Sequence, residues 1–367
     1  MFQLIAQRLR TLQNRIEEKK ISGILLSDSC SVQFFCGFKS SNALLLVLSN
    51  TIFLFTDARY LESAKTMFQE TSLQVQDLFK SGEWKLFFHE HGVSTLGVEY
   101  SNISVARFSA WKKYFGVHFR NIDREIEQIR AEKSVEEIAN TKRAAHIADV
   151  ALREAFSELR PGISEQEFAW KLEQSCREHG AEKLSFDSIV AFGEHSAVPH
   201  HHPTERRLKE NEAILIDWGV VKNGLCSDCS RSFFWGTPSD AWQRDYEKVF
   251  HAQQAGIEEI FPGKKLQCPQ EKAEEILGET IPHSFGHGVG LEVHEYPALS
   301  TRSRGKFSEN MIVTAEPGVY RSGAYGIRIE DLLVVQKDGA HSLTHFPKDL
   351  SSAILPKSGI SSQKMRQ

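Results

Sequence analysis

The stretch from residue 213 to residue 234 restricts the fold of this chain more than any other part of its sequence. Two runs with strand character are joined there by Asn223-Gly224, the dipeptide that most strongly indicates a two-residue hairpin turn. Side chains alternate between the two faces of a strand. With this turn, Asp217 and Asp228 therefore lie on one face of the hairpin, one diagonal step apart. The sequence predicts two neighbouring carboxylates on adjacent strands.

These two carboxylates have an ordinary interpretation and a functional one. In the ordinary interpretation they are solvated acidic residues on an exposed sheet face. Asp217, however, follows directly on the apolar run 213–216, where an unpaired carboxylate is costly to bury. A cation shared with Asp228 compensates that cost, so the sequence favours a metal site.

A second pair of carboxylates lies near the end of the chain. Arg328 and Glu330 alternate with two isoleucines, which predicts that both charged side chains share one strand face. An arginine at this spacing is expected to hold Glu330 ionised and oriented. Glu316 ends the apolar run 311–315, just before the turn signal Pro317-Gly318. The ordinary alternative is a cross-strand ion pair, which becomes second choice beside Asp217 and Asp228.

Imidazoles complete the set of candidate site residues. His283, His287 and His294 lie close together among glycines, which permit close backbone approach. His200 lies in a histidine-rich loop, for which a solvated loop and a site are equally good interpretations. Four carboxylates and one imidazole suit two hard or borderline divalent cations, which activate water in hydrolases. The candidate ligands are Asp217, Asp228, His287, Glu316 and Glu330.

The pair Cys226 and Cys229 has the Cys-x-x-Cys spacing of some zinc and redox sites. No second cysteine pair accompanies it in the sequence. On a strand the two thiols point to opposite faces, so they are poorly placed to bind one metal together. The sequence therefore disfavours a zinc or redox role.

Composition excludes several other classes of protein. The 44 basic and 48 acidic residues nearly balance, which predicts neither a nucleic-acid patch nor a membrane-binding surface. Apolar runs such as residues 43–48 are too short to cross a bilayer. Six irregularly spaced cysteines and an N-terminus without secretory-signal character predict reduced thiols and a cytoplasmic location.

The chain divides into segments of different character. Residues 1–126 alternate helical and strand-like pieces, which predicts an α/β domain. Capping boxes at Ser134–Glu137 and Ser164–Glu167 predict two successive helices, and strand signals dominate from residue 186. We place a catalytic domain at residues 127–350 and a polar tail at residues 351–367.

The order and spacing of several motifs resemble one enzyme family. These motifs are SFDSIVAFGEHSAVPH, IDWGVVKNGLCSDCSRS, HSFGHGVGLEVHE, TAEPGVY and GIRIED, preceded by FFCGF and TDARY. Together they resemble the pita-bread metallopeptidases, in particular the Xaa-Pro aminopeptidase and prolidase group. The resemblance implies an α/β creatinase-like N-terminal domain followed by an α+β pita-bread catalytic domain.

The resemblance also implies roles for individual residues. Asp217 would bind one metal ion, Asp228 and Glu330 would bridge both, and His287 and Glu316 would complete the second. The ions would be manganese, with cobalt, zinc or iron as alternatives. Glu316 would also manage the proton of the nucleophilic water. His200, His283 and His294 would stabilise the tetrahedral intermediate and relay protons, and Arg328 would support Glu330.

The implied activity is hydrolysis of the bond between an N-terminal residue and a following proline, in an enzyme that pairs as a homodimer or higher homo-oligomer. Prolidases resemble this chain equally, but they tend to carry an arginine shortly after the His-Glu-Tyr-Pro segment, where Ala298 and Leu299 stand here and Arg302 comes only later. That favours longer peptides. His201 also departs from the family pattern.

A methionine aminopeptidase usually lacks the preceding domain. A metal-free peptide-binding module or a creatine-type amidinohydrolase predicts broken ligands.

Overall fold

The computed structural model of the protein describes residues 2–78 and 83–356 of the 367-residue chain. The chain forms two compact units, residues 1–130 and residues 131–367. The predicted domain boundary at residues 126–127 lies close to this division, and the assignment of the two parts as separate domains stays a prediction. Within the described ranges, no helix has both the length and the apolar composition needed to span a bilayer.

The first unit is built on a mixed six-stranded sheet with the order β4-β3-β2-β1-β5-β6. The apolar runs that predict buried strands form β1, β2 and β3, each buried along its whole length. Its strands are β1 (Gly23–Leu26), β2 (Ala43–Leu48), β3 (Ile52–Thr56), β4 (Leu73–Asp77), β5 (Thr95–Val98) and β6 (His118–Asn121). Its helices are α1 (Phe2–Lys19), α2 (Ser29–Cys36), α3 (Leu61–Phe68), α4 (Glu83–Glu90), α5 (Val105–Tyr114) and α6 (Asp123–Ala131), the last of which ends one residue beyond the unit.

Glu99, which follows β5, is a buried carboxyl group in this unit. Its Oε1 accepts a hydrogen bond of 2.7 Å from Ser31 Oγ, while its Oε2 has no hydrogen-bond partner. Burial, together with the nearby negative charge of Asp28, raises its pKa to about 7. Glu99 is therefore protonated in the folded protein at pH values where it is ionised in the unfolded chain.

We expect Glu99→Gln to flatten the dependence of stability on pH. Between about pH 4.5 and 7 the folded state holds a proton that the unfolded state has lost, so wild-type stability falls as pH rises. The amide cannot ionise, so at pH 8 the variant should gain up to about 3 kcal/mol in unfolding free energy relative to wild type. Urea unfolding at pH 5 and pH 8 measures this. The exposed Glu90→Gln is the control, and an unchanged pH slope in Glu99→Gln would contradict the assignment.

Two capped helices open the second unit, as the capping boxes predict. Ser134 Oγ accepts from Glu137 N at 3.3 Å while Glu137 Oε2 accepts from Ser134 N at 2.9 Å. Ser164 and Glu167 repeat the arrangement. The helices are α7 (Val135–Ala155), α8 (Glu165–Glu178), α9 (Asp240–Glu258), α10 (Cys268–Leu277) and α11 (Leu350–Ala353), with 3₁₀ turns at Phe156–Glu158 and Gly193–Ala197.

The sheets of this unit carry the candidate site residues. A four-stranded sheet has the order β20-β12-β9-β8, and a five-stranded sheet has the order β14-β13-β15-β18-β19. Strands β11-β10-β7 and β16-β17 form two smaller sheets. The strands are β7 (Lys183–Leu184), β8 (Ile189–Phe192), β9 (Glu212–Trp218), β10 (Val220–Lys222), β11 (Leu225–Cys226), β12 (Cys229–Trp235), β13 (Gly286–Gly288), β14 (Glu295–Leu299), β15 (Ile312–Ala315), β16 (Gly318–Arg321), β17 (Tyr325–Arg328), β18 (Asp331–Gln336), β19 (Gly339–Ser342) and β20 (Ile354–Leu355).

Two apolar clusters hold helices against these sheets. Helices α7 and α8 pack on β8, β9 and β12 through a cluster that includes Phe168, Trp218 and Phe233. Helix α9 packs with α10 around Trp242 and Tyr246 against β15 and β18. Burial of such aromatic side chains stabilises each contact, and it fixes the strand ends that carry polar residues.

The hairpin register that the turn predicts is confirmed. Lys222 pairs with Leu225, and Asp217 pairs with Ser230 farther along the same register. The strands are not continuous, however, because the hairpin breaks at Gly219. A Cβ atom there would lie 2.0 Å from the carbonyl oxygen of Ser227, so only glycine permits this close approach.

The Cys226 and Cys229 thiols contact different carbonyl groups. Cys226 Sγ lies 3.7 Å from the carbonyl oxygen of Leu291, and Cys229 Sγ lies 3.3 Å from that of Glu330. Both cysteines are free. Cys226 ends β11 and Cys229 begins β12, so the two do not share one continuous strand, and their opposite orientation stays a prediction.

The predicted polar tail begins with regular structure. Residues 350–353 form α11, and Ile354–Leu355 forms β20, which pairs in parallel with the end of β12. Leu355 is buried in the α7–α8 cluster, which explains why the chain stays with the unit beyond residue 350. The remainder of the predicted tail, residues 357–367, lies outside the described residues.

Candidate metal centre

All nine predicted site residues line a single cavity of about 460 Å³ in the second unit. These residues lie at strand ends and in loops that are far apart in sequence. Its lining includes Asp217, Asp228, His287, Glu316, Glu330, His200, His283, His294 and Arg328. The structure therefore brings together every residue that the sequence selects for the site, and the role of each residue stays a prediction.

Three ligand atoms form the tightest group in this cavity. Asp228, His287 and Glu330 each offer one atom, and these atoms lie within 4.8 Å of one another. Asp228 lies in the gap between β11 and β12, and Glu330 lies between β17 and β18. A divalent cation could bind at this position with oxygen and nitrogen ligands.

Close backbone contacts fix the strand that carries His287. A Cβ atom on Gly286 would lie 2.0 Å from Thr314 O, and one on Gly288 would lie 2.2 Å from Tyr296 O. The glycines on both sides of His287 thus permit β13 to lie tightly between β14 and β15. The imidazole is held in place by the backbone itself.

The carboxylates of the site repel one another. Burial raises the pKa of Asp228 well above its ordinary range, and the charges of Glu330, Asp217 and Glu316 raise it further. The pKa of Glu330 is raised in the same way, by burial and then by Glu316 and Asp217. Asp217 Oδ1 is buried and has no hydrogen-bond partner. Such a cluster is costly without positive charge among its members.

His287 and Glu316 support each other. Their closest atoms, Nε2 and Oε1, lie 3.3 Å apart. Burial alone would raise the pKa of Glu316, but the interaction with His287 outweighs burial and lowers that pKa below its ordinary value. His287 Nδ1 donates to the carbonyl oxygen of Gly288 at 3.1 Å, so Nε2 faces the carboxylates. This orientation is the one that a metal-binding imidazole requires.

Arg328 donates directly to Asp217 and acts on Glu330 through Ser230 and through its charge. Its Nη2 donates to Asp217 Oδ2 at 2.6 Å. Ser230 connects Arg328 with Glu330, because its Oγ donates to Glu330 Oε2 at 2.7 Å and accepts from Arg328 Nε at 2.9 Å. The charge of Arg328 also opposes the rise in the pKa of Glu330, and the support of Glu330 by Arg328 stays a prediction. Strand β17 ends at Arg328, so the chain leaves the strand before it reaches Glu330. Ser230 could have been found from the hairpin register, which places it opposite Asp217.

Tyr320 is a second residue of the site that the sequence analysis did not single out. Its hydroxyl lies 2.9 Å from His283 Nε2 and 3.0 Å from Arg328 Nη1. His283 Nδ1 donates to Ser284 O, so Nε2 accepts from the tyrosine hydroxyl, which accepts from the arginine. Burial lowers the pKa of His283, which keeps the imidazole neutral in this chain of hydrogen bonds. The motif TAEPGVY contains this tyrosine and was its only signal.

His294 completes the imidazole group on this side of the cavity. Its ring centroid lies 4.3 Å from that of His287. Burial lowers the pKa of His294, and the neighbouring His287 lowers it further. His294 is therefore a neutral hydrogen-bonding group beside the carboxylates.

Family comparisons agree with this architecture. Residues 139–337 match metallopeptidase family M24, and residues 8–131 match the creatinase/prolidase N-terminal domain. The chain is 32% identical over 355 residues to the uncharacterized peptidase YqhT of Bacillus subtilis (strain 168), covering 94% of this chain and 99% of that protein.

Solved structures show the same similarity in three dimensions. A Bacillus anthracis structure described as an Xaa-Pro dipeptidase has a TM-score of 0.90 and 33% identity, covering 96% of this chain and 100% of that one. An X-Pro aminopeptidase from Thermotoga maritima MSB8 has a TM-score of 0.84 and 33% identity, covering 95% and 99%. The predicted fold class, a creatinase-like α/β domain followed by an α+β pita-bread domain, is confirmed. The chain belongs to metallopeptidase family M24.

Proposed function

We propose that this protein is an Xaa-Pro aminopeptidase with two metal ions, which releases the N-terminal residue from peptides with proline in second position. One observation carries the proposal: three buried carboxylates, the half-buried Glu316 and an imidazole converge on one cavity. They include a buried oxygen of Asp217 that has no hydrogen-bond partner. This donor set fits two divalent cations, and Asp217, Asp228, His287, Glu316 and Glu330 would hold them.

Manganese is the proposed ion, with cobalt, zinc or iron as alternatives, because hard carboxylate oxygens outnumber nitrogen in the donor set. When bound, such ions lower the pKa of a shared water and polarise the scissile carbonyl. Around them, Arg328 donates to Asp217 and favours its ionised form against the effect of burial, and Ser230 orients Glu330 by donating to its Oε2. These two contacts hold the carboxylates in one geometry through the reaction.

The remaining side chains handle protons and developing charge. The pKa of Glu316 lies below the ordinary range, which favours its ionised form at neutral pH, and in the proposed reaction this carboxylate would accept the proton of the attacking water. His200 and His294 line the cavity, and in the proposed reaction their N–H groups would donate to the oxygen that becomes negative. His283 also lines the cavity and is held by Tyr320. A bond before proline lacks an amide hydrogen, so the pocket must recognise ring shape instead.

The positions of the arginine side chains favour longer peptides as substrates. Among the described residues, Arg328 is the only arginine that lines the cavity, and its guanidinium is occupied by Asp217, Ser230 and Tyr320. Arg302 is exposed and lies outside the lining. A dipeptidase needs a cation for the free carboxylate of its substrate. No arginine of the described second unit is placed for that task in this cavity.

A prolidase acting on Xaa-Pro dipeptides is the second candidate. The similar Bacillus anthracis structure is described as an Xaa-Pro dipeptidase, and a Pyrococcus horikoshii OT3 structure, 30% identical, is described as a prolidase. His201 and His202 also line the cavity. The His202 imidazole could donate a hydrogen bond to a substrate carboxylate in place of an arginine.

One experiment tests the activity and its length preference. Metal-free protein reconstituted with manganese, cobalt or zinc is assayed on Ala-Pro and on Ala-Pro-Ala. We expect kcat/KM for the tripeptide to exceed that for the dipeptide by about tenfold or more, with no cleavage of the control Ala-Ala-Ala. A preference for Ala-Pro would establish the second candidate. Failure of every metal form to cleave either proline peptide would contradict both.

A further inference from the structure

The loop that carries His200 is held by a carboxylate outside the cavity. This loop, residues 193–204, follows β8 and begins with the 3₁₀ turn Gly193–Ala197. We call it the His200 loop. Its residues Pro199 and His200 line the cavity. It contains little regular structure beyond that turn, so the position of His200 depends on what fixes the loop at its ends.

Glu165 supplies that fixation at both ends. Its carboxylate is fully buried and accepts five hydrogen bonds from residues in or beside the loop. Oε1 accepts from Phe192 N at 2.9 Å and from His195 Nδ1 at 2.9 Å. Oε2 accepts from His201 Nε2 at 2.9 Å, from Thr204 N at 3.0 Å and from Thr204 Oγ1 at 2.7 Å. One carboxylate thus joins the residue before the loop to its last residue.

The position of Glu165 explains how a buried charge is tolerated there. Glu165 is the first residue of α8, where the positive end of the helix dipole favours a carboxylate. Its five donors use every lone pair that the carboxylate offers. On the other side of the loop, Pro199 O accepts from Arg328 Nη1 at 3.1 Å, and Ser196 Oγ accepts from Gly326 N at 2.8 Å. The loop is therefore held between α8 and β17.

We propose that Glu165 is a positioning residue for catalysis, which fixes the His200 loop so that His200 meets the reacting peptide. The role in catalysis rests on the proposed peptidase function, whereas the fixation of the loop does not. Glu165, His195 and His201 also lie close enough to hold a metal ion together. The observations favour the positioning role, because both oxygens are already saturated by donors that include the backbone of Phe192 and Thr204.

The test uses two variants of the full-length chain and a matched control. Glu165→Gln keeps the side-chain volume but replaces one accepting oxygen with an NH₂ group. Thr204→Val removes one donor to Glu165, together with the acceptor of Arg206 N, with almost no change of shape, which keeps the test valid if the glutamine variant folds poorly. Glu167→Gln is the control, because Glu167 caps the same helix at Ser164 and makes no hydrogen bond to Glu165 or to the His200 loop.

Two measurements test the fixation of the His200 loop by Glu165 separately from the proposed peptidase activity. Amide hydrogen exchange in residues 192–204 should accelerate by about tenfold or more in Glu165→Gln, and less in Thr204→Val, whether or not the protein cleaves peptides. On manganese-loaded enzyme with Ala-Pro-Ala, kcat should fall by about 10- to 100-fold while KM changes less than about threefold. Glu167→Gln should resemble wild type in both measurements.

Other outcomes would overturn the proposal. Unchanged exchange in residues 192–204 would show that Glu165 does not hold the loop. Accelerated exchange with unchanged kcat would show that the fixation does not position His200. A third equivalent of zinc bound by wild type and lost in Glu165→Gln would make the group a metal site. If wild type cleaves no proline peptide, the proposed function fails, and the exchange result still decides the fixation.

Discussion

Asp228→Asn is expected to reduce hydrolysis of Ala-Pro-Ala to less than about 1% of wild type. Loss of a residue that only hydrogen-bonds to a metal ligand lowers metal affinity or activity by about 10- to 100-fold, and loss of a ligand itself should have a larger effect. Asp228 lies in the centre of the ligand group, 3.6 Å from His287 Nε2 and within reach of Glu330. An amide offers a weaker, neutral oxygen to a cation. Metal analysis of the purified variant should find fewer than two ions per chain.

The same substitution should stabilise the metal-free protein. In wild type, Asp228 is buried beside Glu330, Asp217 and Glu316, whose charges raise its pKa. Removal of one member of this group relieves repulsion when no cation is present. In chelator, Tm of Asp228→Asn should therefore exceed that of wild type, although activity is lost. Asp187→Asn, at an exposed position of the cavity lining, is the control and should retain full metal content. If Asp228→Asn loses activity and its Tm in chelator is lower than that of wild type, the variant is misfolded instead.

Asp331→Asn should have the largest effect on stability, a loss of about 3–5 kcal/mol in unfolding free energy at pH 7, as expected for breaking a buried ion pair. Asp331 Oδ1 accepts from Arg231 Nη2 at 2.7 Å, and both side chains are almost fully buried. Oδ2 pairs with Lys348 and accepts from Gln253 Nε2 at 3.2 Å. The neutral amide would leave the buried guanidinium of Arg231 without its counter-charge. Urea unfolding with a constant m-value measures the change.

The pH dependence of this effect has a definite sign. Burial would raise the pKa of Asp331, but the charges of Arg231 and Lys348 outweigh it, so the net pKa is lowered. A lowered folded-state pKa stabilises the protein above the unfolded pKa, and that stabilisation is lost as pH falls through the folded value. The difference between wild type and Asp331→Asn should be full at pH 7 and shrink below about pH 4. Asp338→Asn, at an exposed pair with His341, should change little. Equal stability of Asp331→Asn and wild type at pH 7 would contradict the account.

Local chemistry made part of this structure predictable. The turn Asn223-Gly224 specifies a register by itself, so Asp217 and Asp228 could be placed before any fold was known. The capping boxes at Ser134 and Ser164 likewise depend only on residues three positions apart. Such signals are contained in short segments. The convergence of His287 and Glu316 on the same cavity needed a family resemblance, because no local rule connects them.

The contacts that the sequence did not reveal join distant segments. The sequence predicts an interaction of Arg328 with Glu330, but it contains no signal for the hydrogen bond of Arg328 to Asp217, 111 positions away. That hydrogen bond depends on where β17 ends, which strand alternation does not predict. The hydrogen bond from Thr204 to Glu165 joins the start of α8 to the end of the His200 loop. In the sequence, Glu165 is recognisable only as part of a capping segment. Tertiary packing decides such contacts, and one sequence contains no direct signal for it.

Anomalous diffraction at the manganese edge, from crystals of the protein soaked in Mn²⁺, shows whether the cavity binds two metal ions. We expect two strong peaks about 3.5–4 Å apart in the cavity, as in other two-metal sites. One should contact Asp217, and one should contact His287 and Glu316, with Asp228 and Glu330 between them. Absence of manganese from this cavity, or a single peak without contact to Asp217, would contradict this expectation.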